Sequence, residues 1–204
     1  MEKLMKVIIF IYYTDGYYEK IINQYLLPSL QKFNLPNKIY TSPNQHDWLK
    51  NGKQKFKIIY EHLINNNQNV VFLDADAEII KSPELFYQIS DDYDIGVHYL
   101  DWYLFWRNQP NKNKRELLGA TIYINNNDKT KDLFKTLYEQ TKNSSEWGQK
   151  ILQTLIENNY SLKVYNLPIE YCYIKKEGDN FYSGYATIVQ HQASRKIRKR
   201  QKIL

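Results

Sequence analysis

The chain has one cysteine, Cys172, in 204 residues, so no intrachain disulfide can form and a cysteine-based metal centre is excluded. That usage suits a reducing compartment, and the cytoplasm (host cytoplasm for a viral protein) is the location expected. No run of 18 or more apolar residues occurs, which leaves no candidate membrane span. Seven Gly and six Pro are too few for a linker-rich or fibrous chain. The apolar stretch from Leu4 to Tyr13 has Lys6 inside it and no small-residue cleavage signal after it, so it reads as a first core strand and not as a signal peptide. Acid is missing from the segment SRKIRKRQKIL, which starts at Ser194 and carries six Lys or Arg. The remainder then holds 22 basic against 22 acidic residues, so the net charge of +6 belongs to this tail. Residues 1–193 are read as one domain. Residues 194–204 are read as a basic tail able to contact nucleic acid or another anionic surface, or as a solvated terminus.

What is present is a regular alternation of patterns. KVIIFIYY, Lys6 to Tyr13, is a β-rich apolar run punctuated by Thr14, Asp15 and Gly16. Tyr18, Ile21, Ile22, Tyr25 and Leu26 then recur at helical spacing, predicting a helix that ends near Pro28 or shortly beyond. Lys38 to Thr41 is a short strand. Phe56, Ile59, Tyr60, Leu63 and Ile64 mark a second helix, with Lys53 and Lys57 on its other face. An asparagine-rich turn follows, and Val70 to Leu73 forms a continuous apolar strand of the kind buried on both faces of a parallel sheet. The order β-α-β-α-β predicts a parallel sheet. Further on, strands are expected at 94–99, 120–125, 162–165 and 186–190. Helical stripes are expected at Leu133, Phe134, Leu137, Tyr138 and at Ile151, Leu152, Leu155.

The strand Val70 to Leu73 runs directly into Asp74-Ala75-Asp76. Two carboxylates so close repel one another unless a cation neutralises them, and a hard divalent ion with oxygen ligands can do so while also bridging to a diphosphate. The end of a buried strand is also where α/β folds place ligands. A capping aspartate at a strand-to-turn junction is the plainer alternative.

At this point the sequence resembles the GT-A glycosyltransferases, in particular the nucleotide-diphospho-sugar transferases. The resemblance rests on FIYYTDGYYEKIINQYLLPSL, KQKFKIIYEHL followed by VVFLDADAEI, GATIYINN, LPIEYCYI and IVQHQASRK, which occur in order over residues 7 to 198. It implies an α/β fold: a single GT-A (Rossmann-like) domain whose mixed, mostly parallel sheet is flanked by helices. It implies Mn²⁺ or Mg²⁺ held by Asp74, Asp76 and His191, and a UDP- or GDP-linked sugar donor contacted by Tyr12, Thr14, Lys53, Asp74 and Gly119. Lys55 and Lys57 are near enough in sequence to take the place of Lys53. The family often has Asp-Gln where this chain reads EWGQ, so Trp147 to Gln149 is a departure.

Asp101 and Glu146 are the candidate acids for activating an acceptor hydroxyl. The aromatic segment containing Trp102, Trp106 and Arg107 is the candidate acceptor surface, for a glycan, a protein or a hydroxylated nucleobase in DNA. Two other classes compete. A metal-dependent nucleotidyl or phosphoryl transferase also uses paired Asp, but a Gly-rich phosphate loop is missing after the first strand. A non-catalytic nucleic-acid-binding protein would rely on the tail.

Overall fold

The structure, a computed structural model, describes residues 7–101, 114–176 and 182–193, with only the backbone of residues 182 and 183. Trp102, Trp106, Arg107 and the basic tail lie outside the described residues. The main sheet has six strands in the order β2-β1-β3-β6-β5-β7. These are β1 Val7–Thr14, β2 Asn37–Ser42, β3 Asn69–Asp74, β5 Ile95–Asp101, β6 Arg115–Ile124 and β7 Val164–Asn166. β1 pairs in parallel with both β2 and β3, and β5 pairs in parallel with β7, while β6 runs antiparallel between β3 and β5. The expected mixed, mostly parallel sheet is therefore present. A second sheet, β4-β9-β8, is made of Ala77–Ile79, Ile188–Gln190 and Tyr173–Ile174.

The continuous apolar runs in β1 and β3 follow from burial on both faces. Ile9, Ile11, Val71 and Leu73 turn to one side, where α1 (Tyr17–Gln24) and α2 (Leu26–Lys32) contribute Ile22, Leu26 and Leu30. Phe10, Val70 and Phe72 turn to the other side and meet Phe56, Ile59 and Leu63 of α3 (Trp48–Asn65). That layer is completed by α4 (Asp128–Asn143) and α5 (Gly148–Glu157), through Phe134, Leu137, Ile151 and Leu152.

The single helix expected to end near Pro28 or shortly beyond is instead two. Pro28 lies in the first turn of α2, where no backbone N–H is needed, but its ring is incompatible with the carbonyl one turn earlier in a continued α1. The chain breaks at Tyr25, whose ψ is −61° with φ at −121°.

Two local devices fix the sheet. Asn127 caps α4: its side chain accepts from Thr130 N (3.0 Å), and Thr130 Oγ1 accepts from Asn127 N (3.2 Å). The first half of β6 extends past its pairing with β3, and α5 supplies the missing acceptors. Leu117 N–H donates to Gln153 Oε1 (3.0 Å) and Gly119 N–H to Gln149 Oε1 (3.0 Å). Residues four apart on a helix advance about 6 Å and residues two apart on a strand about 6.7 Å, so the two glutamines match the two amides.

Asp94, buried before β5, ties three elements together. Its carboxylate accepts from Lys163 N (2.8 Å), Asn127 Nδ2 (2.8 Å) and Lys129 Nζ (3.3 Å). Burial pushes its pKa up, but these bonds outweigh that and hold it below the ordinary value. A lowered carboxyl pKa stabilises the fold above the unfolded-state value and ceases to do so as pH falls through the folded one. Asp94→Ala is expected to cost about 2–4 kcal/mol at neutral pH. In urea titrations the difference from wild type should shrink on acidification to about pH 2. A pH-independent difference would assign the effect to packing.

Candidate active site

The parallel strands bring their carboxyl ends together, with Tyr12 of β1 in register with Asp74 of β3. A cleft opens there whose empty volume is about 950 Å³, counted out to its mouth. Because β6 is antiparallel, its early residues reach the same end of the sheet, and Leu73 is paired with Thr121 two residues after Gly119.

Asp74 closes β3, and Asp76 follows in the turn before β4. Asp76 is buried, and its Oδ2 accepts from Ala193 N at 2.6 Å. Burial first, and the neighbouring Asp74 charge second, push its pKa up to about 6 from 3.8. Lys55 Nζ lies 3.3 Å from Asp74 Oδ1 and donates to the Gly119 carbonyl at 3.1 Å. Its Nζ stands over the rings of Phe56 and Phe72, 5.3 and 4.9 Å from their centroids. One ammonium beside two carboxylates leaves negative charge in excess, and an all-oxygen donor set of that charge fits a hard divalent cation.

Several sequence expectations change here. Lys53 does line the cleft, but its Nζ donates to the Ser144 carbonyl, and Lys55 is the lysine that faces the carboxylates. Periodicity carries the signal, since Lys55 is one residue before Phe56 and four before Ile59, on the border of the buried face. His191 approaches Asp76 through its backbone, its N–H donating to the Asp76 carbonyl at 3.0 Å. Its ring stacks on Tyr25 with centroids 3.8 Å apart, and its Nε2 is hydrogen-bonded to Glu78 Oε2 at 2.8 Å. Among the described residues no three His, Cys, Asp or Glu side chains converge as a metal set, and the His191 ring is engaged with Glu78 and Tyr25.

Glu146 is exposed, ion-paired with Lys150, and does not line the cleft. Asp101, opposite Arg115 at the end of β5, does not line it either. Tyr12 and Thr14 both do. Tyr12 Oη is hydrogen-bonded to Ser42 Oγ at 2.8 Å, and its pKa is raised by burial against the lowering effect of that bond. Gly119 touches the site through its carbonyl on Lys55 and its amide on Gln149.

Sequence reasoning missed the wall opposite the carboxylates. Trp48 opens α3, and Trp147 precedes α5; their rings are 5.2 Å apart. Both line the cleft together with Gly148 and Gln149. At the departure from the family's Asp-Gln, the space beside Gly148 is filled by Phe56: a Cβ on Gly148 would lie 2.2 Å from Phe56 Cε2.

Residues 22–202 match the model of the nucleotide-diphospho-sugar transferase family. No curated protein matches the chain. Among solved structures, the chain is similar to a glycosyltransferase involved in glycosylation of the major capsid of PBCV-1 (TM-score 0.66, 9% identity, 96% of this chain and 98% of that one). It is also similar to the galactosyltransferase LgtC in complex with donor and acceptor sugar analogs (TM-score 0.54, 11% identity, 91% and 87%). A third is mouse xyloside xylosyltransferase 1 in its apo form (TM-score 0.54, 10% identity, 91% and 97%). At such identities these likenesses establish a shared GT-A fold. The family match is of another kind: it runs from α1 into the tail and takes in every element of the cleft except β1 and the start of α1, and the chain belongs to the nucleotide-diphospho-sugar transferase family.

Proposed function

We propose that the chain transfers a sugar from a UDP- or GDP-linked donor to an acceptor hydroxyl on a glycan, with Asp74 and Asp76 holding Mn²⁺ or Mg²⁺. The observation that carries this reading is the pair Asp74 and Asp76, the second buried, with Lys55 Nζ 3.3 Å from Asp74 Oδ1, in a cleft at the carboxyl ends of parallel strands. When bound, a divalent cation supplies Lewis-acid stabilisation of the charge that develops on the departing diphosphate.

The chain's own residues do the rest. Lys55 brings a fixed positive charge to the same end of the cleft, held by Asp74 and by the Gly119 carbonyl, so little reorganisation accompanies bond cleavage. Tyr12 and Thr14 border the place for the nucleoside. Trp48 and Trp147 line the cleft beside Gly148 and Gln149, where they would limit the access of water to a bound donor. His191 and Glu78 brace the turn that carries Asp76, through the backbone bond to its carbonyl and the stack on Tyr25.

A thermal-shift panel of nucleotide sugars, with and without Mn²⁺, tests the reading. A cognate donor at a hundredfold excess over its dissociation constant adds about 2.7 kcal/mol to the apparent stability, and the shift should require the metal. A panel in which no nucleoside diphosphate shifts the protein in either condition would overturn it. Among the described residues no helix is long and apolar enough to cross a membrane.

A further inference from the structure

A second cavity lies between α3 and α4. On α3, Lys50, Lys53, Gln54 and Lys57 recur at spacings of three and four residues, which places them along one face of the helix. Tyr138, Thr141 and Lys142 do the same on α4. The two stripes, with Gln45 from the loop before α3, line a groove whose empty volume is about 610 Å³, counted out to its mouth. Tyr138 also stacks on Tyr60 of α3, with ring centroids 6.5 Å apart, which ties the two helices together.

Four lysines line this groove, and among the described residues no Asp or Glu does. The accumulation is local, since the chain without its tail holds 22 basic and 22 acidic residues. Lysines three or four apart on a helix repel one another. The chain itself offsets little of that repulsion. Lys57 Nζ lies 3.5 Å from Glu61 Oε1, but both side chains are exposed, and such pairs contribute little. Asp47 is engaged at the start of α3, accepting from Lys50 N at 3.0 Å. Lys53 donates to the Ser144 carbonyl, and Lys142 Nζ stands over the Tyr138 ring, 4.2 Å from its centroid. Among the described residues Lys50, Lys53 and Lys142 have no carboxylate within ion-pairing distance.

The rest of the lining narrows the ligand. Gln45, Gln54 and Thr141 supply amide and hydroxyl groups, and no aliphatic side chain is present. Neither a bilayer nor the apolar anchor of a protein partner finds a surface to bury here. The size is that of a small-molecule site. Ammonium and amide donors facing one another across a groove suit the charged oxygens of phosphate groups. A phosphate monoester carries about −1.5 to −2 charge at neutral pH, so two of them balance four ammonium groups.

We propose that the groove between α3 and α4 is a second ligand site, separate from the cleft at Asp74, for a soluble small molecule bearing two phosphate groups. A free diphosphate and a sugar phosphorylated twice share that chemistry. Lys53 lines the cleft as well as the groove, so the two sites adjoin.

Calorimetric titration of the full chain with inorganic pyrophosphate, and separately with a hexose bisphosphate, tests this. EDTA is present so that no divalent ion draws phosphate to Asp74 and Asp76. Saturable binding of at least one anion is expected, and the tighter of the two identifies the source. Replacing two lysines that do not line the cleft by glutamine (Lys50→Gln with Lys142→Gln) is expected to weaken that binding about tenfold. The arginine pair (Lys50→Arg with Lys142→Arg) keeps the charge and is expected to stay within about twofold of wild type. The melting temperature without anion checks that both variants are folded. Absence of saturable binding by wild type overturns the proposal. So does equal binding by the glutamine variant, which would put the anion on the basic tail or in the cleft. An arginine variant as weak as the glutamine one assigns the loss to packing and overturns it too. Failure of the nucleotide-sugar panel, by contrast, removes the donor reading and leaves this result untouched.

Discussion

Replacing Asp74 and Asp76 together by asparagine will lower sugar transfer by about a thousandfold, a loss of roughly 4 kcal/mol of transition-state stabilisation, without unfolding the chain. Transfer falls because neutral amides hold a hard divalent cation far less well than carboxylates, and the chain stays folded because of what the two carboxylates cost it when no cation is bound. Asp76 is buried and its pKa is raised to about 6, by burial and then by the charge of Asp74. An acid raised in the folded state opposes folding once it ionises. The penalty is absent below the ordinary carboxylate value of 3.8 and fully present above about 6. A rise of that size corresponds to on the order of 3 kcal/mol.

Asparagine removes the charge and can still accept the hydrogen bond from Ala193 N. The metal-free Asp76→Asn protein is therefore expected to be more stable than wild type at neutral pH and no more stable at about pH 4. Mn²⁺ should raise the melting temperature of wild type and leave the double variant unmoved. Denaturation curves across pH, run beside transfer assays, check both halves. A double variant that keeps wild-type turnover would remove the carboxylates from the mechanism.

Gly148→Ala will destabilise the fold by about 2–3 kcal/mol, although the residue opens a helix and alanine normally improves a helix by up to about 1 kcal/mol. The opposing effect is steric. The new Cβ would stand 2.2 Å from Cε2, 3.0 Å from Cδ2 and 3.1 Å from Cζ of Phe56. Phe56 is buried among Ile59, Leu63, Phe72 and Leu152, so its ring has little room to retreat. Trimming that ring tests the account: Phe56→Leu in the Gly148→Ala background should restore part of the loss, where each change alone destabilises. Urea unfolding of the two single variants and the double gives the coupling directly. A Gly148→Ala protein as stable as wild type would mean that α5 or the ring shifts at negligible cost. Gly119 offers a milder comparison, since a Cβ there meets Gln149 Oε1 at 3.2 Å, the end of a side chain that can yield.

Those two residues also mark what was legible in the sequence. Val70 to Leu73 followed by Asp74 could be read because a strand buried on both faces has an unbroken apolar signature and its carboxyl end is a fixed place in the architecture. The three helices of the α3 layer could be read for the same reason, each having one apolar stripe. Of the second sheet only β9 could, as the strand expected at 186–190; β4 and β8 span three and two residues, too short for periodicity to register. Lys55 was obscured by Lys53 and Lys57, because ranking three lysines on one helix requires knowing which edge of the buried face looks toward the strand ends. Trp48 and Trp147 carry no local pattern at all. They meet only because α3 and α5 both start at the same end of the sheet, a fact of topology and not of neighbouring residues. Gly148 read as a departure from the family's usual residues, and its cause, the Phe56 ring, lies on another helix.

The two glutamines of α5 that accept from Leu117 and Gly119 have a consequence for motion. Trp147 and Gly148, at the head of the same helix, form the outer wall of the cleft, so any outward swing of that wall must release Gln149 from the Gly119 amide and then Gln153 from that of Leu117. These two amide protons are built-in reporters of breathing at the cleft. Their hydrogen-exchange rates, compared with those of Ile122 and Ile124 deep in the same strand, would record how often the wall lifts and whether a bound donor keeps it shut.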